Sequence, residues 1–172
     1  MDTRPPPSGS PYVVVGIDPD PSMNRESVHW AAHEAALRGA ALHLVYAWEP
    51  GSAHHAHYAP MHTLVDPTVQ RRRAREALEK AEQAAHHVRP ELTVVRRSIE
   101  GPTVPVLLGA AGEAALLVLG SRPRHVDRRP LGPVTRECLR CARCPVVTVG
   151  SVSGREDRRS TPTGTRTTGV SP

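Results

Sequence analysis

Leu116-Leu-Val-Leu-Gly-Ser-Arg122, followed after a basic segment by Leu131-Gly-Pro-Val-Thr-Arg-Glu-Cys-Leu-Arg-Cys-Ala-Arg143 and then by Cys144-Pro-Val-Val-Thr-Val149, decides the fold. An apolar run stops at Gly120, a loop follows, a helix opens at Gly132, and a second apolar run closes the stretch. Short apolar runs on either side of a helix describe a βαβ unit. A strand ending in Gly-Ser-Arg beneath a helix opened by Gly is also a geometry suited to anions. The first helical N–H groups lack intrahelical partners, and the helix dipole places positive potential there. The charges agree. Between Gly120 and Arg143 there are seven Arg (122, 124, 128, 129, 136, 140, 143) against Asp127 and Glu137. That excess of five equals the formal net charge of the whole chain, so its basicity is local.

Upstream, the same alternation repeats. Tyr12 to Ile17 is a β-prone run ending at Asp18, expected to be buried on both faces. Asp18-Pro19-Asp20-Pro21-Ser22 reads as a turn, and a helix is expected from about Ser22 or Asn24 to Arg38. Val28, Ala31, Ala32 and Ala35 give that helix its apolar face, and Gly39 its stop. Ala41 to Trp48 is the second strand. Asp66-Pro67 supplies an N-cap and a first-turn Pro for a helix to about Val88, with Ala74, Ala77, Leu78, Ala81, Ala85 and Val88 on one face. Arg71 to Arg75 is a charge run on its first turns, read as a solvated face. Leu92 to Ile99 is an edge-type strand, and Thr103 to Ala111 a short helix with Pro105 tolerated in its first turn. Strand four (Ala115–Leu119), a helix over about Gly132–Ala142 and strand five (Pro145–Val149) complete the pattern.

This βαβαβαβαβ order predicts an α/β fold: one open five-stranded parallel sheet, Rossmann-like, with helices on both faces. Ligands of such sheets sit beyond the carboxyl ends of the strands, at the switch point of strand order. A chain of 172 residues suits one domain, expected over 11–150, with disordered ends at 1–10 and 151–172. There is no Phe, so the core must rest on Val, Leu and many Ala.

Composition also excludes functions. Nothing approaches a transmembrane span, and the Pro-rich start lacks the apolar run of a signal peptide, so a cytoplasmic protein without membrane partners is expected. The basic residues are almost all Arg, with Lys80 the single Lys, and no DNA or RNA motif accompanies them. Aromatics for base stacking are scarce, so nucleic acid is not expected as a partner. Cys138-x-x-Cys141-x-x-Cys144-Pro145 echoes an iron–sulfur run but lacks its fourth Cys. Zinc would need a distant His, and small buried thiols are expected. His54, His55, His57 and His62 invite a metal reading. No Cys or acidic residue is interleaved among them, so a solvated loop is expected and no metal site is assigned.

Leu119-Gly120-Ser121-Arg122, the Gly132-x-Val134-Thr135 helix start and the closing Cys144-Pro145-Val146-Val147 resemble the universal stress protein family. Val13 to Trp48 resembles that family's opening strand–helix–strand. The resemblance implies an adenine-nucleotide site. Asp18, at the end of the first strand, would meet the nucleoside, and Ala47 would contact adenine. Leu119, Gly120 and Arg122 would form the strand-four end, with Gly132, Val134 and Thr135 at the phosphate-side helix start. The family's nucleotide-binding members carry Gly, two residues, Gly, nine residues, Gly, then Ser or Thr. Here Pro123 replaces the second Gly, eight residues separate it from Gly132, and Pro133 replaces the Ser/Thr. ATP or another adenine nucleotide is therefore expected to bind weakly or not at all. The resemblance further implies a homodimer through Val146–Val149. No nucleophile–base pair and no P-loop lysine motif is present, so catalysis is not expected. Two functions follow: a nucleotide-regulated stress module, or a scaffold that has lost the ligand and acts through protein contacts.

Overall fold

The computed structural model describes residues 10–49, 66–121 and 131–150. Five strands, β1 (Tyr12–Gly16), β2 (Ala41–Trp48), β3 (Val94–Glu100), β4 (Leu116–Ser121) and β5 (Val146–Gly150), form one sheet in the order β3-β2-β1-β4-β5. Every neighbouring pair is parallel. Four helices connect them: α1 (Arg25–Leu37), α2 (Pro67–Val88), α3 (Thr103–Ala110) and α4 (Pro133–Cys141). The expected fold class is the observed one. The expectations on 1–9, on the histidine-containing loop, on Arg122 and the arginines up to Arg129, and on 151–172 lie outside the described residues.

Parallel strands with crossover helices must bury both faces, and the strands divide their side chains accordingly. Val13, Val15, Leu42, Leu44, Leu116 and Val118 point towards α1 and α2. Val14, Val45, Leu117 and Leu119 point towards α3 and α4. The first layer is made by alanines. Ala31, Ala32 and Ala35 of α1 and Ala74, Ala81 and Ala85 of α2 are buried, letting both helices approach the sheet closely in a chain without Phe.

Local signals set the boundaries. The Asp66 side chain accepts from the Thr68 N–H at 2.8 Å, and Pro67 occupies the first turn of α2. At the end of α1, Gly39 takes φ +59°. That conformation lets Ala40 N–H reach Ala35 O (2.9 Å) and Gly39 N–H reach Ala36 O (3.2 Å), the paired bonds of a Schellman stop. Strand β3 is shifted two residues from the expected Leu92 start. Leu92 donates to Arg89 O in the turn instead and packs into the core. The short α1 start is also different: Pro21–Met23 form a separate 3-10 turn, and α1 begins only at Arg25.

His43, in the middle of β2, is 1% exposed, and neither ring nitrogen has a hydrogen-bond partner. Its ring stacks on Tyr12 with centroids 4.4 Å apart. Burial, aided by the Arg97 charge, lowers its pKa to about 4, so the native state holds it neutral. The unfolded chain regains the ordinary value near 6.5 and therefore takes up a proton that the folded chain refuses. Stability should be full above pH 6.5, fall as pH drops from 6.5 towards 4, and level off below that. The loss should reach about 3 kcal/mol. Denaturant unfolding at pH 7.5, 6, 5 and 4 checks this against His43→Leu. The variant should lack that component while keeping whatever loss the surface carboxylates contribute.

Candidate functional site

The strand order reverses direction between β1 and β4. From β1 the chain crosses to β2 and β3 on one side, then returns to β4 and β5 on the other. Crossovers on opposite faces leave a crevice above the carboxyl ends of β1 and β4. Register places the sequence-expected residues around it. Gly16 lies beside both Val45 and Leu119, so Asp18 and Ala47 continue from β1 and β2 while Gly120 continues from β4. Asp18 and Ala47 are half-buried. Leu119 is different: its side chain lies in the core facing α3, so only its main chain can border the crevice.

Gly120 is held by a close approach. A Cβ there would lie 2.6 Å from the carbonyl oxygen of Met23, in the turn that follows Asp18. The two banks of the crevice therefore touch through a backbone that only Gly accommodates.

The Asp18 bank is a chain of polar bonds. The Asp18 N–H donates to Asn24 Oδ1 (2.7 Å), and Asn24 Nδ2 donates back to Asp18 O (2.8 Å) and to Asp20 O (3.4 Å). Asp18 Oδ1 accepts from the Asp20 N–H at 2.8 Å. Asp20 Oδ1 in turn accepts from both the N–H and the hydroxyl of Ser22. Beside this bank stands Tyr46. Burial pushes its phenol up, the Asp18 carboxylate adds to that, and Arg73 on α2 opposes it. The neighbouring Trp48 carries the Arg71 guanidinium 5.3 Å from its ring centroid. The Arg71–Arg75 run is exposed, as expected, yet its first member also packs on the end of β2.

On the opposite bank, Gly132 is the N-cap of α4, with φ −67° and no side-chain cap, and Pro133 is the first helical residue. The first intrahelical bond runs from Arg136 N–H to Gly132 O. Val134 and Thr135 therefore present the free N–H groups of this start, and Pro133 presents none. Thr135 is buried and Val134 half-buried, so their side chains anchor the helix.

Of the sequence-expected site residues, the fold thus gathers Asp18, Ala47, Leu119 and Gly120 at one end of the sheet. Gly132, Val134 and Thr135 open the helix that follows β4, and Arg122 lies outside the described residues. Asn24, Tyr46 and Arg71 are additions that a sequence reading misses. An Asn six residues after Asp18, at a helix start, is the only signal available, and it reads equally well as an N-cap.

The cysteines separate. Cys138 is buried and Cys144 half-buried, and burial raises both thiols. Cys141 is exposed, against expectation. Three positions on from Cys138 it has rotated off the buried stripe into the last turn, where its thiol donates to Glu137 Oε1 at 3.6 Å. Among the described residues no group of three or more His, Cys, Asp or Glu is arranged to hold a metal ion. None of the described helices is long and apolar enough to cross a membrane.

The sequence profile of the universal stress protein family matches residues 12–150. The chain belongs to the universal stress protein family. A universal stress protein of Mycobacterium tuberculosis is 34% identical over 145 residues, covering 80% of this chain and 46% of the relative. The chain thus spans about half the length of the curated relatives it matches. Among solved structures, a universal stress protein in complex with cAMP is 27% identical with TM-score 0.54, covering 83% of this chain and 98% of that one. A family protein from Burkholderia pseudomallei is 25% identical with TM-score 0.58, covering 84% and 98%. The Archaeoglobus fulgidus protein in complex with dAMP, 21% identical with TM-score 0.58 and covering 81% and 96%, shares the fold.

The two site glycines differ in why they are needed, and substitution separates them. Gly120→Ala drives a Cβ against a backbone oxygen and should cost about 1–3 kcal/mol. Gly132→Ala meets nothing within 4 Å and should cost only the poorer N-cap, about 0.5–1 kcal/mol. Equilibrium denaturation of the two variants measures both.

Proposed function

We propose that this chain is a nucleotide-responsive stress module that binds adenine nucleotide weakly in the β1–β4 crevice and does no chemistry on it. The observation that carries the reading is the reversal of strand order between β1 and β4, with Asp18 at the end of one strand and a helix start at Gly132 after the other. The cAMP complex of a relative with the same fold supports an adenine ligand. Binding, and not turnover, is the proposed activity.

Weakness follows from the proline at the helix start. A phosphate there would draw on main-chain N–H groups and on a Ser/Thr hydroxyl. Pro133 removes one of each, and Pro123 removes another N–H by its chemistry alone. Hydrogen bonds to charged groups are worth about 1.5–3 kcal/mol each. Losing two of these costs roughly 3–6 kcal/mol, on the order of a hundred- to ten-thousandfold in affinity. Calorimetric titration with ATP should show the Pro123→Gly, Pro133→Ser double variant binding at least about a hundredfold more tightly than wild type. An unimproved double variant would mean that phosphate is held elsewhere, or not held.

The working unit is proposed to be a homodimer joined along β5. The sheet has two edges with opposite characters. β3 carries Arg96 and Arg97, both exposed, and Arg96 is drawn onto α2 by Glu82 (3.4 Å) and Glu79 (3.6 Å). Charged edges of that kind discourage pairing. β5 is Val-Val-Thr-Val-Gly, uncharged and half-exposed over its first four residues. A two-fold axis beside it would pair the strand with its own copy. Thr148→Lys places a charge there while sparing Val147, which packs on the α1 side. Light scattering should give twice the 18.6 kDa chain mass for wild type and a monomer for the variant. A monomeric wild type would overturn the dimer.

A further inference from the structure

Asn24 occupies the N-cap position of α1 and does not cap it. An Asn there ordinarily turns its side-chain oxygen onto an N–H two or three residues ahead, a contact worth ~1 kcal/mol. Here its backbone is already helical (φ −93°, ψ −29°), and its side chain makes no capping bond. The amide reaches backwards to Asp18 and Asp20, as described above, with its residue only 7% exposed. A stabilising helix contact has been exchanged for the geometry of one loop. Local rules broken in this way tend to mark functional sites.

We propose that Asn24 is the positioning residue of the nucleotide site: it locks the Asp18 main chain so that the carboxylate meets the nucleoside preorganised. This rests on the nucleotide reading above. Asp18 Oδ1 accepts from the Asp20 N–H, and Oδ2 is the oxygen proposed to accept from a ligand hydroxyl or amine. Gripping both the N–H and the C=O of Asp18 fixes the main chain from which that carboxylate projects. The ordering cost is then met on folding and not on binding. The grip extends across the crevice, because Met23, the residue before Asn24, is the one whose carbonyl rests on Gly120.

The chemistry demands an amide. Asp18 offers one donor and one acceptor, and Asp20 a second acceptor, so the gripping side chain must accept once and donate twice. Asn supplies this; a carboxylate only accepts, and a hydroxyl donates once over a shorter reach. Affinity should therefore rank Asn24 above Asn24→Ser, and Asn24→Ser above Asn24→Ala.

Calorimetric titration with AMP tests the proposal on wild type, Asn24→Ser, Asn24→Ala, Asp18→Asn, and the Asp18→Asn, Asn24→Ala double variant. Ser27→Ala is the control. Its buried hydroxyl donates to Asn24 O at 2.9 Å and makes no bond to Asp18, so its loss loosens the helix start without releasing the grip on Asp18. Asn24→Ala should weaken AMP about tenfold, equivalent to about 1.4 kcal/mol. The double variant should bind no more weakly than Asp18→Asn, because Asn24 acts only through Asp18. Ser27→Ala should lose stability at unchanged affinity. If Asn24→Ala does not fold, Asn24→Ser carries the comparison. Asn24 variants that bind as wild type does, or losses that add to those of Asp18→Asn, would overturn the positioning role and leave the nucleotide reading standing. A wild type that takes up no AMP at millimolar ligand would instead remove the nucleotide reading, and this one with it.

Discussion

The carbonyl oxygen of Met23 lies 2.6 Å from where a Cβ on Gly120 would be, and much of the crevice follows from that contact. It brings the turn after β1 onto the end of β4, so the two strands flanking the switch point are joined above the sheet as well as within it. The turn can lie there because it is short and rigid: Pro19 and Pro21 restrict its dihedrals, Asp20 caps the 3-10 segment, and Asn24 ties its ends together. The loop that carries the candidate acid is thus part of the packed structure. Had Gly120 been any other residue, the turn would have to lift, and Asp18 with it.

The same economy governs the core. Without Phe, side-chain volume is small, and close packing has to come from close approach of the elements. Alanines on α1 and α2 permit that approach. On the opposite face of the sheet, shared with Val14 and Val45, a polar ring is buried stacked and neutral, as His43 is against Tyr12. The second layer is thinner, since α3 has eight residues and α4 nine. Its buried cysteine, Cys138, behaves there as a small apolar group, with burial raising its thiol.

Most of the fold was legible because its signals are local and mutually consistent. Asp66-Pro67 announces α2 and Gly39 ends α1. The β-branched runs at 12–16 and 146–149 can hardly be anything but strands. The candidate site was legible only in part. Asp18, Ala47 and Gly120 were readable as residues at strand ends, but their reasons were not. Gly120 reads as an anion-loop glycine, and the structure adds a packing reason from a residue nearly a hundred positions away. Asn24 reads as a helix cap, because sequence shows which groups a side chain could satisfy nearby and not which it does satisfy. His43 reads as one polar position in a strand. Its complete burial depends on Tyr12 and on β3, both brought in by tertiary structure.

The helix start at α4 is a place where folding and anion binding ask for different residues. Pro133 is favoured at the first helical position, since the missing N–H has no intrahelical partner there and the fixed φ suits the helix. The substitution is therefore nearly free for folding, and Thr135 and Cys138 still anchor the helix to the core. For an anion the same position is where an N–H counts most, because those unpaired donors are what a phosphate would use. Stability and binding thus respond oppositely to one residue. A chain selected only for its fold and its β5 edge would tolerate Pro133 indefinitely, whereas one selected for tight phosphate binding would not. The Asp18 bank bears the opposite signature: Asn24 forgoes a cap to hold the acid's main chain. On the proposed nucleotide reading, the nucleoside side of the crevice is built more firmly than the phosphate side, which fits a ligand held by its base and sugar with its phosphates loosely engaged.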